Sequence, residues 1–178
     1  MGNFFGSQTE KDASAKDHVL NGSEDASEIQ DGLFLGNSAA SESHAWQTAN
    51  GITHIVSVIP HRLPPAPSNI KRLQVRIRDS QQDLIAIHFD TAIEFIGAAL
   101  NSDGRVLVHC WRGISRSATI MIAYIMRSRR LQYKAALAFV KAQRPCIDPN
   151  PGFQTQLVSA VVRYPRLLAL MSRALDRP

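Results

Sequence analysis

The chain has 178 residues, 44% of them hydrophobic and 20% charged, with a net charge of +5 and only two cysteines. One domain with a proper hydrophobic core fits that length, and two do not fit comfortably. No apolar run reaches the ~20 residues of a membrane span, the first residues lack the basic start and long apolar stretch of a signal peptide, and two cysteines exclude a disulfide framework or a Cys-rich metal site. The expectation is an intracellular protein with reduced thiols, cytoplasmic by default and small enough for the nucleus to stay open.

Charge is unevenly spread. Residues 1–31 carry seven acidic side chains (Glu10, Asp12, Asp17, Glu24, Asp25, Glu28 and Asp31) against Lys11 and Lys16, a net of −5. The rest carries 18 basic and 8 acidic residues, a net of +10. Such a body suits anionic ligands, among them phosphoproteins, phospholipids and nucleic acid, although a basic surface without a ligand has the same composition.

In chain order, residues 1–26 are polar and without apolar period, which predicts a flexible acidic tail. "MGN" fits the start of an N-myristoylation signal at Gly2, but position 6 is Gly rather than Ser or Thr, so the motif is incomplete. From Ile29 onward short apolar runs alternate with helical patterns. "GLFLG" (32–36) predicts a strand, "ASESHAWQTAN" (40–50) a helix, and "ITHIVSVI" (52–59) a buried strand stopped by Pro60. "RLPPAPS" (62–68) is a loop. "LQVRIRD" (73–79) alternates as a half-exposed strand does.

Asp83 directly precedes the next helical stretch and so takes the part of its N-cap. Along that helix Ile85, Phe89, Ala92, Ile93, Ile96 and Leu100 mark one face. "RVLVH" (105–109) is continuously apolar up to its histidine, as a central parallel strand is. "ATIMIAYIM" (118–126) is apolar all round and predicts a buried helix. Tyr133, Ala136, Leu137 and Val140 mark another helix, ended near Pro145, and a last one follows "PNPGF". This alternation predicts an α/β sandwich.

Between the apolar strand and the buried helix stands "HCWRGISRS", residues 109–117. A loop curling at a helix N-terminus presents backbone N–H groups and the positive end of the helix dipole. That arrangement binds anions and favours the thiolate form of a cysteine within it. Gly113 lets the chain turn tightly. Arg116 can hold two oxygens of a phosphoryl group with its planar fork, which a lysine cannot. Ser117 offers a hydroxyl close to the Cys110 sulfur, and His109 can orient the loop by hydrogen bonding. Each part serves a thiolate attacking a bound phosphate monoester. The pattern H-C-x-x-G-x-x-R-S arises by chance on the order of once in 10⁵ chains of this length, so an inert buried cysteine beside an unrelated arginine is a poor account of it.

From about Ile29 to Leu157 the chain resembles the cysteine-dependent protein phosphatases, and among them the dual-specificity phosphatases. "GLFLGNSAAS" is similar to the family's opening strand and turn, "GITHIVSV" to its second strand, and "HFDTAIEFIGAAL" to the helix before the active-site strand. "VLVHCWRGISRSATIMIAYIM" matches the family signature closely, and "AQRPCIDPNPGFQTQL" resembles the segment bordering the pocket. The resemblance implies a mixed five-stranded sheet flanked by helices, with residues 27–178 as the catalytic domain. It implies two-step hydrolysis of phosphorylated protein without metal or organic cofactor, and no role for nucleic acid. Cys110 is then the nucleophile, and Arg116 with loop residues Trp111, Arg112, Gly113, Ile114 and Ser115, beside His109, forms the substrate cradle. Ser117 eases departure of the thiolate. Asp79 is the family-equivalent acid and base, and Asp83 is its competitor.

Some features depart from the family pattern. Trp111 and Arg112 stand where smaller residues are common, and the spacing from Asp79 to "DL" (83–84) is one residue shorter than in many relatives. No "KNRY"-like segment builds a deep phosphotyrosine pocket, so a shallow site admitting phosphoserine, phosphothreonine and phosphotyrosine is expected. Two other readings stay open. A phosphatase of phosphoinositides or other non-protein esters is disfavoured by the lack of lysine in the loop. A phosphate-reading module without turnover is disfavoured by the presence of Cys110, Arg116 and Asp79 together. The histidines at 18, 44, 54, 61 and 88 have no ligand spacing. Cys146 borders the pocket, and a resolving role toward oxidised Cys110 would need the fold to bring the two thiols together.

Overall fold

A computed structural model describes residues 25–163, with side chains to residue 160. Gly2 and most of the acidic tail lie outside the described residues. The elements are β1 (Ala26–Gln30), β2 (Leu33–Gly36), α1 (Ser38–Glu42), α2 (His44–Ala49), β3 (His54–Val58), β4 (Lys71–Val75), a 3₁₀ turn (Ile85–His88), α3 (Phe89–Leu100), β5 (Val106–His109), α4 (Arg116–Arg129), α5 (Tyr133–Gln143) and α6 (Pro151–Arg163). The five strands form one mixed sheet in the order β1-β2-β5-β3-β4. β1 is antiparallel to β2, and the other neighbours are parallel. This is the expected architecture.

Period-two alternation divides the sheet's two faces. Leu33, Leu35, Val56, Val58, Val106 and Val108 point into the larger core, with α3, α4, α5 and α6. Phe34, Ile55 and Leu107 point the other way and are covered by Ala40, Ile52, Ile70 and Trp46. Helix α4 is buried continuously from Ser117 to Met126, as its all-round apolar sequence requires. Each buried Ile there contributes about 1.5–3 kcal/mol of burial. With β5 it forms the axis on which the site is built.

Several boundaries differ from the sequence expectation. β1 falls at the supposed tail border, so Asp25 and Ala26 belong to the folded body. The single helix expected over 40–50 is two. Asn37 Oδ1 caps the first through Ala40 N at 3.0 Å, and Ser43 Oγ caps the second through Trp46 N at 3.2 Å. Ser43 is extended (φ −80°, ψ 102°), which ends one helix and starts the next. The strand expected to reach Asp79 stops at Val75. Its partner β3 runs into Pro60, so Ile59 N to Val75 O at 3.1 Å is the last rung. Alternation beyond that point reports burial of Ile77 rather than pairing. Asp83 caps no helix. Its carboxylate accepts from Arg78 N (3.1 Å) and the Arg78 guanidinium (3.0 Å), closing the loop that carries Asp79.

Candidate active site

Parallel pairing brings Gly36, His109 and Ser57 side by side at the carboxyl ends of β2, β5 and β3. Ligand sites of α/β sheets lie beyond such ends. Cys110 follows immediately, buried, and Ser117 Oγ lies 3.1 Å from its sulfur and donates to it.

Carbonyl directions define the loop. Trp111 O accepts from Ser38 N (3.2 Å) and Ser38 Oγ (3.3 Å). Gly113 O accepts from Arg144 Nε at 3.1 Å, and Ile114 O from Asp148 N at 2.9 Å. In a trans peptide C=O and N–H point opposite ways. Turning these three carbonyls outward therefore turns the amides of Arg112, Ile114 and Ser115 inward, and among the described residues no backbone carbonyl accepts from them. Gly113 has φ +69°, and a Cβ there would sit 2.6 Å from Gly36 O and 2.9 Å from Arg144 Nη2. Only glycine fits.

The N-terminus of α4 is left for a ligand. Ser115 stands at the N-cap, yet its side chain makes no capping bond and no acidic residue occupies the first turn. Its hydroxyl instead donates to Asp79 Oδ1 at 2.6 Å. Free amides and the dipole's positive end thus face the cradle. Arg116 is 11% exposed, and among the described residues its Nε has no hydrogen-bond partner and its nearest carboxylate oxygen is Asp79 Oδ2 at 3.8 Å. A buried guanidinium without a close acceptor is suited to a bound oxyanion.

His109 lies beneath this cradle, not in it. Its Nε2 shares a 2.8 Å hydrogen bond with Ser57 Oγ. Burial pushes the imidazole down to about 4, aided by the Arg72 and Arg116 charges. It is a neutral support for the strand end. Trp111 and Arg112 are exposed, the tryptophan by 62%, and Ile114 is half-buried. The structure therefore brings Cys110, Gly113, Ser115, Arg116, Ser117 and Asp79 together. Burial pushes the half-buried Cys146 thiol up, which makes it a weak nucleophile.

Two residues at the site carry no sequence signal of their role. Arg144, 2% exposed, holds Gly113 O and pairs with Asp25, Nη2 to Oδ2 at 2.6 Å and Nη1 to Oδ1 at 2.8 Å. Burial works against its charge and the Asp25 bond outweighs it. Asn150 Nδ2 donates to Asp79 Oδ1 at 2.8 Å. "Asn-Pro" before a helical stretch is a readable cap signal, but nothing local to it points to Asp79.

Among the described residues no helix is long and apolar enough to cross a membrane. Residues 33–162 match the family model "Dual specificity phosphatase, catalytic domain". The chain is 37% identical over 139 residues to dual specificity protein phosphatase 1B of Arabidopsis thaliana, covering 78% of this chain and 83% of that one. It is 40% identical over 127 residues to dual specificity protein phosphatase 15 of Mus musculus, covering 71% of this chain and 53%, about half, of the relative. The crystal structure of DUSP15 superposes with a TM-score of 0.76 at 33% identity, covering 86% of this chain and 96% of that one. With a thiol, an arginine and inward amides at the end of its central strand, the chain belongs to the dual specificity phosphatases, the cysteine-dependent protein phosphatases.

Proposed function

We propose that this phosphatase removes phosphate from tyrosine and from serine or threonine of phosphorylated proteins, with Cys110 as nucleophile and Asp79 as the acid. The observation that carries this is the loop around Cys110, with three carbonyls tied outward, amides turned inward and Arg116 without a close acceptor. Such preorganised donors stabilise charge as it develops on phosphoryl oxygens.

In the first step Cys110 Sγ forms a bond to phosphorus as the ester P–O bond breaks. Asp79 gives its proton to the leaving oxygen. In the second step water attacks phosphorus, its proton passes to Asp79, and the S–P bond breaks. The Ser117 hydroxyl, 3.1 Å from the sulfur, donates to the departing thiolate. Trp111 and Arg112 stand exposed beside the cradle, where the substrate chain passes.

The cradle's chemistry suits any phosphate monoester. The loop's lack of lysine favours phosphoprotein over the more highly charged phosphoinositides. A metal-free assay of phosphotyrosine, phosphothreonine and phosphoserine peptides beside phosphoinositides tests this. Turnover of the peptides, abolished in Cys110→Ser with peptide binding retained, is expected. Turnover confined to phosphoinositides, or near wild type in Cys110→Ser, would overturn it.

A further inference from the structure

Asp79 does not rest on its own strand. The chain leaves β4 at Val75, and the loop bearing Asp79 lies against the start of α6, 71 residues later in sequence. Three side-by-side contacts seat it. Asn150 Nδ2 reaches Asp79 Oδ1 at 2.8 Å. Gly152 lies so close to the loop that a Cβ would stand 2.1 Å from Gln81 O. Gln156 Nε2 donates to Asp83 O at 2.9 Å, while its Oε1 accepts from Ala86 N at 3.0 Å.

The hydrogen bonds have a fixed sense. Asn150 Oδ1 accepts from Phe153 N at 3.0 Å, capping α6, which leaves Nδ2 to face Asp79. The Asn150 backbone N–H donates to Ser115 Oγ at 3.1 Å, so the Ser115 proton is free to go to Asp79 Oδ1, 2.6 Å away. Two donors converge on Oδ1. An oxygen accepting two hydrogen bonds is a poor seat for a proton, whereas Oδ2 faces Arg116 and the cradle.

We infer that Asn150 is a positioning residue for hydrolysis, clamping Asp79 Oδ1 from the cap of α6 so that Oδ2 is the oxygen that passes the proton. This rests on Asp79 being the acid. Ser115 joins the clamp from the phosphate loop and so ties the acid's placement to the cradle itself. In the first step the Oδ2 proton goes to the ester oxygen, and in the second Oδ2 takes a proton from water. Oδ1 remains a hydrogen-bond acceptor throughout.

The test reads kcat/KM, which reports chemistry up to transfer onto cysteine, for an aryl phosphate with a good leaving group and for a phosphothreonine peptide with a poor one. Asn150→Ser keeps a capping oxygen but loses the amide N–H that reaches Asp79, its hydroxyl sitting on a side chain too short to replace it. Asn150→Asp keeps the cap and sets a second carboxylate against the first. Asn150→Ser is expected to lose up to roughly tenfold on the peptide, the upper scale of one hydrogen bond, and little on the aryl phosphate. Asn150→Asp is expected to lose on the peptide and to move the descending limb of its pH profile to higher pH, since a like charge favours the protonated acid. Activity on the aryl phosphate reports that both variants are folded. If Asp79→Asn shows the leaving-group-dependent loss while both Asn150 variants match wild type on both substrates and in pH profile, the positioning role is wrong and the acid stands. If Asp79→Asn shows no such loss, the acid assignment falls and this role with it.

Discussion

Asp25 and Arg144 form a two-pronged ion pair across 119 residues of chain, and the same guanidinium holds the carbonyl of Gly113 in the phosphate loop. The strand edge at one end of the domain is thereby fastened to the catalytic loop at its centre. Arg144 is 2% exposed and Asp25 28%, so removing the acid strands a buried charge.

Asp25→Asn is expected to destabilise the protein by about 3 kcal/mol, the low end for breaking a buried pair, and to lower kcat by loosening Gly113. Deleting residues 1–24 keeps the pair and is expected to leave stability and kinetics close to wild type. Deleting residues 1–26 removes it and is expected to behave like Asp25→Asn. Chemical denaturation of the three proteins checks this, and equal midpoints for the two deletions would refute it.

Gly113→Ala places a methyl group 2.6 Å from Gly36 O in a left-handed backbone. Strain of that kind costs about 1–3 kcal/mol, and the loop must shift to relieve it. The variant is expected to fold, yet to lose both turnover and competitive inhibition by inorganic phosphate. Inhibition at the wild-type concentration would show that the cradle does not need this turn.

His109 titrates at about 4 in the folded protein, below its ordinary 6.5. Between those values the unfolded chain takes up a proton that the folded protein refuses. Stability is therefore unaffected by this group above about pH 6.5 and falls as pH drops through that window, by roughly 3 kcal/mol at its lower end. His109→Asn is expected to flatten this decline while costing stability at neutral pH. Denaturation midpoints from pH 7.5 to 4.5 measure both effects, and parallel declines would remove His109 as the cause.

Asp83 is tied to Arg78, whose hydrogen bond holds its carboxyl below the usual range. The tie is present above the ordinary carboxylate value and is lost as pH falls through the lowered one. Asp83→Asn is expected to cost little in rate on any leaving group, because Asn can still accept from Arg78 N. Asp79→Asn is expected to cost ~10²–10⁴ on poor leaving groups. A leaving-group-dependent loss in Asp83→Asn would reverse the two assignments.

The information legible in the sequence is local. Apolar runs marked β2, β3, β5 and α4 because burial on both faces leaves a continuous signature, and the nine residues from His109 to Ser117 carry their chemistry in sequence order. The misplacements have a common cause. Alternation persists to Asp79 while the partner of β4 has already met Pro60, so the pattern outruns the strand. β1 leaves no apolar signature because its residues, Ala26 to Gln30, sit on an edge and bury only Ile29. Asp83 has the sequence position of a cap, but its actual partner, Arg78, lies on the other side of a turn. Arg144 and Asn150 act on groups 31 and 71 residues away, a separation at which neighbouring residues carry no trace of the contact.

The outward ties of the phosphate loop have a consequence for how the enzyme comes into being. Ser38 precedes the loop, but Arg144 and Asp148 follow it, and the seat of Asp79 comes later still, at Asn150. During synthesis Cys110 emerges well before the groups that pull its neighbouring carbonyls outward. A ribosome-bound chain that has released the signature motif thus has the nucleophile and the arginine without a cradle to hold them. Catalytic competence therefore waits until the start of α6 has been made and can close against the loop.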